Sequence, residues 1–155
     1  MRVIFAIFLI IAVGFPVSGH AIGGKPILAP EMVAASLIAR QRSLPQTTGY
    51  CWRFVKRALL AAGAVSSYPK TNYAHEAGRE LVENHGFIKL KVSNPWKAPV
   101  GAVLVYGPNR KFKAGHVEIR GSNDFISDYR GRRPADFKFI GAYALVGSSD
   151  KLVLR

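Results

Sequence analysis

Gly49-Tyr50-Cys51-Trp52-Arg53-Phe54-Val55-Lys56-Arg57-Ala58-Leu59 holds the only cysteine of this 155-residue chain. The glycine ends a turn-like stretch, and the apolar residues that follow recur at helical spacing. Phe54, Val55, Ala58, Leu59 and Ala62 share one face, and Gly63 is a natural terminator. Cys51 precedes Phe54 and Val55 by three and four residues, so its thiol lies at the edge of the buried side. The start of a helix carries partial positive charge and unpaired N–H groups, which favour a thiolate and can receive an oxyanion. A nucleophilic thiol would be placed here. A free cysteine is more often a small buried hydrophobe, so the rest of the chain has to argue for reactivity.

Upstream, residues 22–30 hold two glycines and two prolines and read as an extended lead-in. From Glu31 to Arg42 a helix is expected, with Met32, Val33, Leu37 and Ile38 facing inward. Ser43 to Gly49 then carries the chain to the cysteine. Downstream, Ser66 to Lys70 reads as a loop. A third helix follows, with Asn72 as cap, Ala74, Ala77, Leu81 and Val82 on one face, and Asn84-His85-Gly86 as its end. At Phe87 the period changes. Residues 87–92, 102–106, 116–120, 123–127 and 137–146 read as strands, with breaks at Asn94-Pro95, Gly107-Pro108-Asn109, Gly121-Ser122-Asn123 and Gly131. Helices first and then a mostly antiparallel sheet describe an α+β domain.

The N-terminus reads as a signal peptide over residues 1–21. Arg2 precedes an apolar run of eleven residues, too short to span a bilayer comfortably, and Gly14, Pro16 and small residues follow. An exported protein with one cysteine makes no internal disulfide, so its thiol pairs between molecules or stays reactive. The histidines at 20, 75, 85 and 116 show no ligand-like spacing around it, and neither a metal nor a cofactor is called for. Removing residues 1–21 takes away only Arg2 among the charges. The net charge of +13 falls to +12 over 134 residues, enough for one domain with a core. Outside the cytoplasm such a charge favours an anionic envelope surface or the carboxylate-rich peptidoglycan mesh. Nucleic acid is not expected, because no recognition motif accompanies the charge.

In His116-Val117-Glu118-Ile119-Arg120, alternation puts Val117 and Ile119 on one face and His116, Glu118 and Arg120 on the other. His116 would take the Cys51 proton, and the thiolate would attack an amide carbonyl to give an acyl-enzyme that water releases. Backbone N–H groups of Cys51 and Trp52 would hold the oxyanion. Asp128 is the preferred orienter of the imidazole. Glu118 is its rival, although i and i+2 side chains on a flat strand stand about 7 Å apart. Tyr50, Arg110, Lys113, Glu118 and Arg130 are candidate substrate contacts, the basic ones for carboxylates. Trp96 and Tyr106 are expected in the core.

The order of these motifs resembles the papain-like NlpC/P60 superfamily, with its CHAP relatives: cysteine at a helix start, then Pro99-Val100-Gly101-Ala102-Val103-Leu104-Val105-Tyr106, then Gly115-His116-Val117. The resemblance spans roughly residues 44–146. It implies a papain-like fold, with N-terminal helices packed on the sheet and Cys51 and His116 as nucleophile and base. In the NlpC/P60 branch the third polar group lies on the strand after the histidine strand, where Asp128 or Ser127 falls. Residues 22–43 would then be lead-in and helix, and 44–155 the catalytic domain. The implied function is a secreted or periplasmic cysteine hydrolase cleaving amide bonds in peptidoglycan peptide stems, for which an inhibitor or immunity protein is a compatible partner. The alternative is a non-catalytic cationic wall- or membrane-binding domain on the same fold.

Overall fold

The computed structural model describes residues 27–147. The expected signal peptide at 1–21 lies outside the described residues. Helix α1 spans Pro30–Arg42, with proline in its first turn, Glu31 near its N-terminus and Arg40 and Arg42 in its last turn. Its buried residues are Met32, Ala35, Ser36 and Ala39, whereas Val33 and Leu37 are exposed. The expected stripe was therefore displaced. Alanine and serine let α1 pack closely against α2, and the larger side chains turn outward. Helix α2, Cys51–Ala61, packs on α1 and the sheet and buries Cys51, Trp52, Val55, Lys56, Ala58 and Leu59, while Phe54 is only half-buried.

The third helical region divides into a short 3-10 turn at Ala74–Glu76 and helix α3 at Ala77–His85. Tyr73, not Asn72, precedes the turn, and its N–H donates to Glu76 Oε2 at 3.3 Å. Val82, expected on the buried face of this helix, is exposed. The six strands are β1 Ile88–Lys89, β2 Val103–Tyr106, β3 His116–Arg120, β4 Phe125–Ile126, β5 Arg130–Gly131 and β6 Phe139–Ala144. They form one antiparallel sheet in the order β1-β6-β2-β3-β4-β5. The α+β reading is correct.

Two expected breaks are ordered. Gly131 belongs to β5 and pairs with Phe125, because pairing with β4 outweighs the turn preference of glycine. Asn94 caps a 3-10 turn at Pro95–Lys97 by accepting the Lys97 N–H at 3.2 Å. Gly101 lies at φ +94°, and a Cβ there would meet the Met32 backbone at 2.7 Å. Only glycine lets this segment of the Pro99-to-Tyr106 motif run against α1. The core lies where α2 and α1 meet β3, with Val55, Leu59, Val103, Val105, Val117 and Ile119 fully buried. This packing holds the start of α2 beside the start of β3.

Candidate active site

Helix α2 begins at Cys51 with no side-chain cap, and the N–H groups of Cys51 and Trp52 have no hydrogen-bond partner among the described residues. These are two of the donors that every helix start leaves free. Cys51 is 9% exposed and sits at the edge of the core. It opens into a cleft of about 350 Å³ lined by Tyr50, Trp52, Arg53 and Lys56 from its own side and by Tyr68, Asn72 and Ala114 from the other.

His116 is the first residue of β3. The preceding Gly115 has φ +71°, and any Cβ there would meet Tyr106 O at 2.5 Å and His75 Cβ at 2.9 Å. A glycine before the histidine is thus a steric requirement of the tight entry into β3. His75 fixes that entry from the outside, donating to Ala114 O from its backbone N–H at 3.0 Å and from Nδ1 at 3.1 Å.

Cys51 and Glu118 both act on the charge of the His116 imidazole. Its Nε2 is 3.4 Å from Glu118 Oε1, an ion-pair contact that falls short of an aligned hydrogen bond. Phe137 stacks on the ring, with centroids 5.5 Å apart and planes at 18°, and Phe112 packs on Phe137. Burial alone would drive the imidazole toward its neutral form. Interactions with Cys51 and with Glu118 outweigh burial and raise its pKa from 6.5 to about 9. The arrangement therefore favours the protonated imidazole.

Glu118 is 1% exposed. Tyr106, opposite His116 across the β2–β3 pair, donates its hydroxyl to Glu118 Oε2 at 2.8 Å, and the Ala135 N–H donates to the same oxygen at 3.4 Å. The Tyr106 hydroxyl is held well above its ordinary pKa by burial and by the carboxylate it serves. One carboxylate oxygen is thus anchored and the other faces the imidazole.

Asp128, the expected orienter of His116, has its oxygens engaged elsewhere. Asp128 is fully buried, but its Oδ2 accepts from Thr47 Oγ1 at 3.1 Å, Thr48 N at 2.6 Å and Thr48 Oγ1 at 2.9 Å, and its Oδ1 accepts from Ser127 Oγ at 3.1 Å. No ion pair joins it to His116 among the described residues. Burial opposes ionisation of Asp128, yet these bonds hold its carboxyl below the usual range. The chain bends after β4 toward residues 44–48, where Leu44 N donates to Asp128 O at 2.7 Å, so Asp128 fastens the segment that leads to Cys51. Ser127, the neighbouring candidate, spends its hydroxyl on Asp128.

The other expected contacts are dispersed. Tyr50 lines the Cys51 cleft with Arg53 over its ring at 4.1 Å. Arg110 and Lys113 are exposed on the loop before β3 and do not line that cleft. Arg130 lines a second cleft of about 390 Å³ with Leu44, Asp124 and Arg132. Trp96 is 53% exposed and meets Phe125 edge-on, contrary to its expected core position, whereas Tyr106 is fully buried. Phe137 and Lys56 went unnoticed in the sequence. Lys56 had a signal, since it lies one turn from Trp52 on the buried side of α2. Phe137 had none, because its approach to His116 is set by a long connection.

Among the described residues, no three His, Cys, Asp or Glu side chains group as metal ligands, and no helix is long and apolar enough to cross a membrane. No family model and no curated protein matches the chain. Solved structures do. The native type VI effector–immunity complex Tae3–Tai3 from Ralstonia pickettii contains a chain that superposes with a TM-score of 0.61, covering 74% of this chain and 98% of that one. The chain shares the Tae3 fold. Identity to that Tae3 structure is 22%. The selenomethionine form of the complex gives a TM-score of 0.57 at 24% identity, covering 72% of this chain and 98% of the other.

Proposed function

We propose that this chain is a papain-like cysteine amidase of the NlpC/P60 kind that hydrolyses amide bonds in peptidoglycan peptide stems. The observation that carries the reading is the His116 imidazole, 3.4 Å from the buried Glu118 carboxylate and raised in pKa by Glu118 and by Cys51, which begins an uncapped helix. The shared fold with a type VI effector supports it. His116 takes the Cys51 proton. The sulfur attacks the amide carbonyl, the oxyanion forms against the N–H groups of Cys51 and Trp52, and His116 gives its proton to the leaving amine. The neutral imidazole then takes a proton from water, which attacks the thioester and frees the carboxylate and Cys51. Glu118 keeps the ring oriented and stabilises its charged form, and Asp128 holds the segment that presents Cys51.

The substrate lies in the periplasm, and residues 1–21 serve as the export leader. The net charge of +12 left after its removal draws the chain to the anionic wall. An immunity protein is the corresponding partner, as Tai3 is for Tae3. Incubation of the mature protein with purified sacculi should release soluble muropeptides whose new termini, read by mass spectrometry, name the bond. Cys51→Ala and His116→Ala should release none. Co-sedimentation with sacculi and no release by any form would instead mark a wall-binding domain.

A further inference from the structure

Lys56 occupies the Cys51 cleft without a counter-ion. The residue is 6% exposed, its Nζ donates to Thr71 O at 2.5 Å, and it rests 5.1 Å from the Trp52 ring and 5.0 Å from the Tyr68 ring. Among the described residues no carboxylate lies within 4.0 Å of it. A buried charge is costly unless paired, and here it is paired only with a carbonyl and two aromatic faces. Burial pulls the Lys56 pKa down, with the charge of Glu80 opposing. The cleft offers no acid of its own. Its other basic lining residue is Arg53, and no acidic side chain lines it, so the groups around the thiol that could meet a ligand's charge are cationic.

We propose that Lys56 forms a carboxylate subsite beside Cys51, with Arg53 at its mouth, that selects amides carrying a free carboxylate next to the scissile bond. This rests on the reading of Cys51 as the nucleophile and adds to it the chemistry of the substrate. An ammonium has three N–H donors, of which one is spent on Thr71, leaving two for an anion. Two groups on one helix, five residues apart, would thus fix both the reacting carbonyl and the neighbouring charge.

Two alkylating reagents of nearly equal size test the subsite in the intact protein. Iodoacetate and iodoacetamide attack the same sulfur and differ by one carboxylate. The ratio of their rates on Cys51 should fall about tenfold in Lys56→Gln, which keeps a donor for Thr71 and removes the charge. An unchanged ratio, or equal slowing by both reagents, would overturn the subsite and leave Lys56 as a clamp on the 68–72 loop. Should Lys56→Gln fail to fold, the wild type decides. N-acetylglutamate should protect Cys51 from iodoacetamide and its neutral diamide should not, and equal protection by both would refute the subsite. A sulfur inert to both reagents would overturn the nucleophile and the subsite together, whereas a reactive sulfur with an insensitive ratio sinks the subsite alone.

Discussion

Two buried carboxylates, ten residues apart, have opposite assignments. Glu118 on β3 spends one oxygen on Tyr106 and Ala135 and turns the other to His116. Asp128, in the bend after β4, has both oxygens occupied by Thr47, Thr48 and Ser127. Both are inaccessible to solvent, so burial does not distinguish them. What distinguishes them is spare acceptor capacity. A carboxylate whose oxygens are filled by neutral donors fastens backbone, whereas one with an oxygen facing a titratable ring sets that ring's charge.

The comparison breaks most visibly at the chemistry. Cys51→Ala should lower sacculus cleavage by on the order of 10⁴-fold or more, because only the oxyanion donors and binding remain. Glu118→Gln should cost about a hundredfold in kcat/KM with little change in KM, since it acts through the imidazole. Turbidity loss of a sacculus suspension measures both.

Asp128→Asn should appear first in stability. Loss of charge-assisted bonds to Thr47 and Thr48 should cost about 1–3 kcal/mol in urea unfolding, with a smaller loss of rate than in Glu118→Gln. Its pH dependence has a definite sign. The folded pKa of Asp128 lies below 3.8, so its contribution is present above that value and lost as pH falls through the folded pKa. The advantage of wild type over Asp128→Asn should shrink in acid. His116 has the opposite sign. Its folded pKa of about 9 lies above 6.5, so its contribution is full below 6.5 and lost as pH rises toward 9. Tyr106→Phe should have the smallest effect, several-fold in rate or about 1 kcal/mol in stability, because Ala135 still donates to Glu118.

The sequence made the cysteine helix, the histidine strand and the helices-then-sheet order legible, because each rests on local periodicity. What it obscured depends on contacts between distant segments. The face of α1 was misread because Ala35 and Ala39, weak signals in any hydropathy pattern, are what allow close approach to α2. The choice of Asp128 over Glu118 rested on strand spacing between backbones. Both side chains of the His116–Glu118 pair are long enough to close that gap to 3.4 Å. The donors to Asp128 Oδ2, 80 and 81 residues earlier in the chain, leave no trace in its neighbours.

An NMR titration of the His116 ring in wild type, Glu118→Gln and Asp128→Asn tests this division of labour most directly. The expected result is a wild-type pKa near 9 that persists in Asp128→Asn and falls toward 6.5 in Glu118→Gln. A pKa that falls in Asp128→Asn and holds in Glu118→Gln would contradict it.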